Sequence, residues 1–591
     1  MLVKESSKFI GLIILGIFFI MMGIMITPSF LEFHLAPDRA IAANTMLDIQ
    51  MLRGVAISTG ILLILFAFLI HFKSARLNSF FYNVSKFTLT RRSVLFLLAG
   101  ILTVGFILRI YNLGTKSLWI DEVFSILASS KDNLSSVFYQ IGISDFNKPP
   151  LHFILLHFWI KIFGNSEFAA RSLSIFFGVV SILVLYEIAK ALVSKKVALL
   201  SALLFSINQV SITLSQEARY YSLFVLLALL SVLFFIRILK GPEKSKILNS
   251  LFYIIFTSLM LYTHYYGFFM LLFENLYFLL FIRRYRVQIK KCMILQFIVL
   301  ICFLPWLPTM LEQIQLALKG IVPPQLSANP EFSMAYLETL NPSPNLLIVL
   351  SSYLSFQGYG WFPYTLYPEL IFYAALCVSG IYFSLKRNPL TFESIFFVIL
   401  WLIIPVLTPF IISQRFNLLF NWRYLIFVSP AYLILISNGI INIGKKYTVL
   451  GIFLAWLVIM HSVIGLPSYY AFGKKEQWRE VAQYIKENEL TEDLILADPG
   501  WTVPAFKYYY DASSEIVGVV SSRNMNSNQD YFKSIQRKVE KAKRIWLILT
   551  DTPAKGFYKK KLLEYCQQIN VRDYINIQVI LFAKNEIFDS R

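Results

Sequence analysis

Apolar residues in this chain come in long unbroken runs, near 8–27, 53–72, 93–113, 172–191, 197–214, 222–239, 248–263, 265–282, 293–311, 369–385, 393–413, 424–440 and 447–466. Each is close to the roughly 20 residues that cross a bilayer as a helix, and together they predict about 13 spans. The polar stretches between them alternate in kind. Lys73, Arg76, Lys86, Arg91 and Arg92 precede the third run; Lys190, Lys195 and Lys196 follow the fourth. Lys240, Lys244 and Lys246 follow the sixth; Arg283, Arg284, Arg286, Lys290 and Lys291 follow the eighth; Lys386 and Arg387, then Lys445 and Lys446, continue the series. Every second loop is basic, as cytoplasmic loops are, so one topology satisfies the whole chain. Loops 114–171, 215–221, 262–266, 312–368 and 414–423 then share the outer side with everything after 467.

Residues 150–163 (PLHFILLHFWIKIF) are apolar but short for a span, and read as an interfacial or re-entrant helix with Trp159 and Lys161 at head-group level. Segment 345–360 is a similar case. After Pro467 the pattern changes: short β-rich runs at 494–498, 515–520, 544–550 and 574–583 alternate with helical patterns at 476–488, 502–510, 527–542 and 556–569. That alternation predicts a small α/β domain with a largely parallel sheet. The expected fold class is a polytopic α-helical membrane protein with a small C-terminal extracytoplasmic α/β domain. It divides into two additional N-terminal helices and a basic loop (1–92), a transmembrane core (93–466) and the soluble outer domain (467–591).

Composition fits this division. Hydrophobic residues make up 57 % of the 591, with 54 Phe and 32 Tyr, which excludes a string of soluble domains. The net charge of +20 raises nucleic acid as a partner. The basic residues sit in short clusters between apolar runs, however, so the expected partners are membrane lipids and not nucleic acid. Of the four cysteines, Cys302 and Cys377 lie within runs, Cys292 at a basic edge and Cys566 in the outer domain, with neither metal-ligand nor disulfide-framework spacing. The basic, then apolar, N-terminus has no small-residue cleavage site and reads as a retained helix. There is no P-loop or dinucleotide glycine fingerprint.

The chemistry gathers in the outer loops. Trp119-Ile120-Asp121-Glu122 sets two carboxylates beside a membrane surface, where they are costly unless hydrated, paired or used. They can cap the helix that 121–129 predicts, and a carboxylate there can also act as a general base or hold a cation. Downstream, Asp145-Phe146-Asn147-Lys148-Pro149-Pro150 offers a fixed turn and a charge suited to phosphate, or a lysine reaching to head groups. Glu217, Arg219 and Tyr220 lie in Gln216-Glu217-Ala218-Arg219-Tyr220-Tyr221, which reads equally as a polar hairpin tip. His264 stands at a span junction in Tyr262-Thr263-His264-Tyr265-Tyr266, where a hydrogen-bonded structural histidine is the commoner outcome. Arg423, followed by Tyr424, opens a span from the outer side against the charge bias, and pairs either with an acidic neighbour or with an anion. Together these residues describe a place where an amphipathic anion lies with its tail in lipid and its head in water.

At these strings the chain resembles the integral-membrane GT-C glycosyltransferases, in the branch of the protein O-mannosyltransferases and the lipid A aminoarabinose transferases. The Asp121-Glu122 pair, Lys148-Pro149-Pro150-Leu151 with Arg171 leading into the next span, Gln216 to Tyr221, Tyr262 to Tyr265, and Arg423-Tyr424 carry the likeness, over roughly 93–470. The resemblance implies a polyprenyl-phosphate-linked sugar as donor and a lipid, glycan or protein as acceptor, with transfer on the outer face of a bacterial plasma membrane. It implies Asp121 as the catalytic base beside Glu122, and Lys148 with an arginine on the donor phosphate. Asp145, Glu217, Arg219, Tyr220, His264, Arg423 and Tyr424 are carried as substrate-binding candidates. No cofactor is required by this reading; a divalent metal ion is left open. Asn147 replaces the acid that aminoarabinose transferases carry before the lysine, and Lys148 replaces the histidine of the mannosyltransferases' His-Pro-Pro. The oligosaccharyltransferases' Trp-Trp-Asp is missing, the nearest string being Gly358-Tyr359-Gly360-Trp361. A transporter of lipid-linked sugars, which would hold polar groups near mid-membrane, and a non-catalytic scaffold are the competing classes.

Overall fold

A computed structural model describes residues 2–25, 89–144, 148–242, 245–319, 366–386, 389–415, 422–472, 475–512, 514–522, 525–550 and 556–584, with isolated positions between 53 and 64. Asp145, Asn147, segment 345–360, the string 358–361 and nearly all of the second apolar run lie outside the described residues. Among those described, six helices are long and apolar enough to cross a membrane: Arg91–Ile110, Glu167–Leu192, Tyr221–Lys240, Arg286–Leu316, Phe392–Ser413 and Arg423–Lys446. The bent pair Lys195–Ile207 and Gln209–Ser215 makes a seventh if counted as one span. The chain is an integral, multi-pass membrane protein. The count is smaller than the sequence runs suggest because several runs form helices short of the ~20 residues a straight crossing needs, among them Lys246–Leu261, Gly267–Leu280 and Thr448–Val463. The run expected to be interfacial forms the helix Leu151–Phe163, which buries His152, Phe153, Leu156 and His157.

The bent pair turns by 58° at Asn208. The side chain of Asn208 accepts from the Ser211 N–H at 2.9 Å, so the second helix is capped where the first should continue. Carbonyls freed by such a break need donors where water is excluded. Arg109, fully buried, supplies them: its guanidinium donates to the carbonyls of Ser206 (2.8 Å) and Phe205 (3.3 Å) and to the hydroxyls of Ser211 (2.8 Å) and Ser215 (3.2 Å). Gly178 makes room, since a Cβ there would lie 2.3 Å from Ser215 Oγ and 3.1 Å from Arg109 Nε.

The outer domain is a five-stranded sheet. Its strands are β1 (Leu494–Asp498), β2 (Glu515–Gly518), β3 (Arg544–Leu549), β4 (Gln567–Tyr574) and β5 (Ile577–Ala583), in the order β2-β1-β3-β5-β4. The first three pair in parallel, but β5 runs antiparallel to β3 and to β4, so the sheet is mixed and not largely parallel. The expected helix 556–569 stops at Leu562, and β4 takes the residues after it. Strand β4 is exposed along most of its length, and its sequence QQINVRDY lacks the apolar alternation that marks a half-buried strand. One apolar core runs without interruption from the membrane helices into this domain, reaching Trp478, Val481, Ile485, Phe506 and Trp546. A second core lies on the other face of the sheet, around Phe532, Ile535, Leu547 and Tyr558.

Candidate active site

Five chain segments meet at one end of the helix bundle: 109–122, 148–152, 216–221, 262–266 and 422–424. Helix Ile120–Ser129 carries both acids in its first turn, where carboxylates complement the helix dipole. The two have different fates. Glu122 is wholly buried. Arg171, from the start of helix Glu167–Leu192, meets it with two parallel contacts, Nε to Oε1 and Nη2 to Oε2, each 2.8 Å. Lys475 adds a second cation at 3.0 Å, the Ala218 N–H donates to Oε1 at 2.9 Å, and the Trp119 N–H closes the helix cap at 3.4 Å. Burial pushes this carboxyl's pKa up, but the charges of Arg171 and Lys475 outweigh it and hold the group down at about 2. Arg171 also donates to the carbonyls of Leu113, Lys116 and Ser117 at 2.8–2.9 Å, so one buried guanidinium shapes the whole approach to Asp121.

Asp121 is presented differently, with its side chain about a third exposed (35 %). Arg219 stands behind it. One guanidinium nitrogen donates to the Asp121 carbonyl (2.9 Å) and to Ser125 Oγ (2.8 Å), and another lies 3.8 Å from Asp121 Oδ2. The loop that carries Arg219 is itself fixed. Gln216 donates to the carbonyls of Arg109 and Tyr111 at 2.8 Å each, and His152 Nε2 donates to the Ala218 carbonyl at 3.3 Å. Burial, then the charge of Arg219, pull the His152 pKa down to about 3, so this imidazole is neutral at pH 7.

The ring of Tyr220 separates Arg219 from the next cation: the Arg219 guanidinium lies 5.1 Å from its centroid, and Lys148 Nζ lies 5.5 Å from it. Lys148 is buried among aromatic rings, 4.5 Å from the centroid of Tyr424 and donating to its hydroxyl at 3.1 Å. His264 packs 4.8 Å from the Tyr424 ring and accepts from the Tyr266 N–H at Nδ1 (3.1 Å). Burial, with Lys148 and Arg219 adding to it, depresses its pKa well below the usual histidine range. Arg423 stacks on Trp119 with 4.8 Å between guanidinium and ring centroid, and interacts with Glu217, Tyr221 and Asp121. Glu217 is buried with Oε2 unpartnered. Burial raises its pKa, against the pull of Arg423 and Lys475.

All the described candidates, Asp121, Glu122, Lys148, Glu217, Arg219, Tyr220, His264, Arg423 and Tyr424, thus fall in one contact network; Asp145 lies outside the described residues. Sequence reasoning missed Lys475, which sits in a polar linker with nothing to mark it, and gave Arg171 no role of its own. Arg171 carried a usable signal, since like Arg423 it is a cation at the wrong end of a span for the charge bias. Among the described residues no three or more His, Cys, Asp or Glu side chains converge as a metal-ion cage.

Residues 147–308 match the family model described as dolichyl-phosphate-mannose-protein mannosyltransferase, which bears out the resemblance read from the strings in that segment. No match is found among curated protein sequences. In three dimensions the chain is similar to ArnT from Cupriavidus metallidurans in the apo state (TM-score 0.53, 12 % identity, covering 83 % of this chain and 97 % of that one). It is similar to the same protein bound to undecaprenyl phosphate (TM-score 0.52, with the same identity and coverage). An Archaeoglobus fulgidus oligosaccharyltransferase tethered with an acceptor peptide aligns at TM-score 0.51 and 12 % identity, over 84 % of this chain and 74 % of that one. What the chain shares with these structures is the fold.

Proposed function

We propose that this chain is a membrane glycosyltransferase that moves a sugar from a polyprenyl-phosphate donor to an acceptor hydroxyl at the outer membrane face. The observation that carries the proposal is the division of labour within Asp121-Glu122. One carboxylate is saturated by two cations and two backbone N–H groups; the other is presented to solvent beside a row of buried cations. A hydroxyl attacking an anomeric carbon must lose its proton, and a carboxylate within reach can take it. The leaving phosphate gains charge as the bond breaks, and fixed cations stabilise that charge. Asp121 is assigned as the base and Glu122 as the residue that fixes the helix under it. Lys148 and Arg423 are assigned to the phosphate, with Arg219 orienting Asp121. Glu217, Tyr220, His264 and Tyr424 form the wall of the donor site. Direct displacement by such a base inverts the anomeric centre. The alternation of basic loops supports an outer site and an outer C-terminal domain.

The test is covalent transfer by purified protein in liposomes, across a panel of polyprenyl-phosphate sugars and hydroxyl acceptors. Asp121→Asn keeps size and removes basicity, and should slow turnover roughly 10²–10⁴-fold while donor binding persists. Full activity in a well-folded variant would remove Asp121 as the base. One feature favours a second reading, a transporter of lipid-linked sugars: a polar group deep in the bundle, where Tyr253 donates to Glu274 at 2.5 Å and Gln296 to both at 3.3 Å. Absence of transfer by the native protein over the whole panel shifts the assignment there.

A further inference from the structure

The segment 117–122, which carries Asp121, is bound by the outer domain at several points. Leu118, just before the helix cap, and Trp119 and Ile120 at the helix start carry N–H groups that the helix backbone does not satisfy. Two of these three donors are satisfied from the outer domain: Tyr509 Oη accepts from the Leu118 N–H at 2.8 Å, and the Glu476 carboxylate accepts from the Ile120 N–H. Glu480 accepts from Ser117 Oγ at 2.8 Å. Lys475 reaches Glu122 Oε2 and the Gln216 carbonyl at 3.0 Å each, tying helix Ile120–Ser129 to the loop that carries Arg219. Glu476 is itself fixed by the Trp478 indole N–H at 2.5 Å and faces Asp121 closely enough to interact with its charge. Nearby, Arg479 and Tyr509 both bind Glu167, four residues before Arg171.

We infer that the outer domain is a structural part of the active site, with Lys475 and Glu476 as positioning residues that set where Asp121 stands. The inference rests on the function proposed above for Asp121, but its geometry does not. Lys475 and Glu476 are assigned to act through Glu122 and the Ile120 N–H, not through the donor or the acceptor. Their loss should therefore lower kcat and leave the donor's KM nearly unchanged, because Lys148 and Arg423 belong to other segments.

Two readouts on the full-length protein in nanodiscs separate the possibilities. Hydrogen exchange followed by mass spectrometry should show faster exchange in peptides spanning 117–126 for both Lys475→Met and Glu476→Gln, with peptides from helix Tyr221–Lys240 unchanged. Transfer kinetics should show kcat down at least tenfold in each variant, with KM for the donor within twofold. Unchanged exchange in both variants overturns the inference. So does exchange that rises equally throughout the chain, which would mark general destabilisation. If exchange rises locally but native protein transfers no sugar, the positioning stands and the glycosyltransferase assignment falls.

Discussion

Lys148 is a cation held by rings, with its ammonium near the faces of Tyr424 and Tyr220 and, among the described residues, one hydrogen bond, to Tyr424 Oη. A buried ammonium carries three donors, and a phosphate is a strong acceptor for them. Lys148→Ala should weaken donor binding by about 1.5–3 kcal/mol, the scale of a hydrogen bond to a charged group. Isothermal titration with a polyprenyl phosphate measures this, and unchanged affinity would remove the lysine from the phosphate site. His152 supports a pH prediction. Its pKa falls from 6.5 to about 3 on folding, so between those values the unfolded chain binds the proton and the folded chain does not. Stability from this residue is complete above pH 6.5 and is lost progressively as pH falls toward 3. The thermal midpoint in detergent should therefore drop across that window, and the drop should be smaller in His152→Gln. At this scale the sequence was informative wherever polar residues interrupted apolar runs, because a charge beside lipid needs a reason. Lys475 and Glu476 gave no such signal: in a soluble linker a lysine and a glutamate are ordinary, and only the fold brings them to Asp121.

Helices Leu366–Leu385 and Ser429–Lys446 approach each other backbone to backbone at paired glycines. A Cβ on Gly439 would stand 2.2 Å from the Leu376 carbonyl oxygen, whereas one on Gly100 would meet nothing within 4 Å. Gly439→Ala must push two helices apart, so it should lower the unfolding temperature and the yield of folded protein, while Gly100→Ala should be tolerated; equal behaviour of the pair would contradict this packing. Periodicity located these helices but not their contacts, since a glycine in a span reads the same whether it faces lipid or a neighbour. The bend at Asn208 was hidden for a related reason: 197–214 is one apolar run, and a single side-chain cap decides that it is two helices. The first three residues of β4 were read as the end of a helix and 570–573 as neither helix nor strand, because an exposed edge strand is under no pressure to alternate.

On the scale of the whole molecule, the spans and the outer domain share a continuous apolar core. The proposed placement of the site and of the C-terminal domain on the outer side rests on the basic loops, and is directly measurable. In a protein whose four native cysteines are replaced, single cysteines at the exposed positions Ser135 and Ser534 should react with an impermeant maleimide in intact cells. One at Lys195, exposed in a basic loop, should react only after permeabilisation. The reverse pattern would invert the topology and take the site to the cytoplasm. The general architecture was legible in the sequence because hydropathy and charge bias are summed over many residues. The union of the two parts was not, because it depends on side chains hundreds of positions apart, such as Lys475 with Glu122 and Tyr509 with Leu118.

The buried Arg109 bears on how the protein is made. Its helix, Arg91–Ile110, enters the membrane before most of its partners exist, because Phe205, Ser206, Ser211 and Ser215 are translated about a hundred residues later. Until then a guanidinium near the end of a newborn helix snorkels to the interface without its native partners. The first core helix therefore gains these native contacts only when the bent pair arrives, so its packing depends on residue 215 as much as on residue 91.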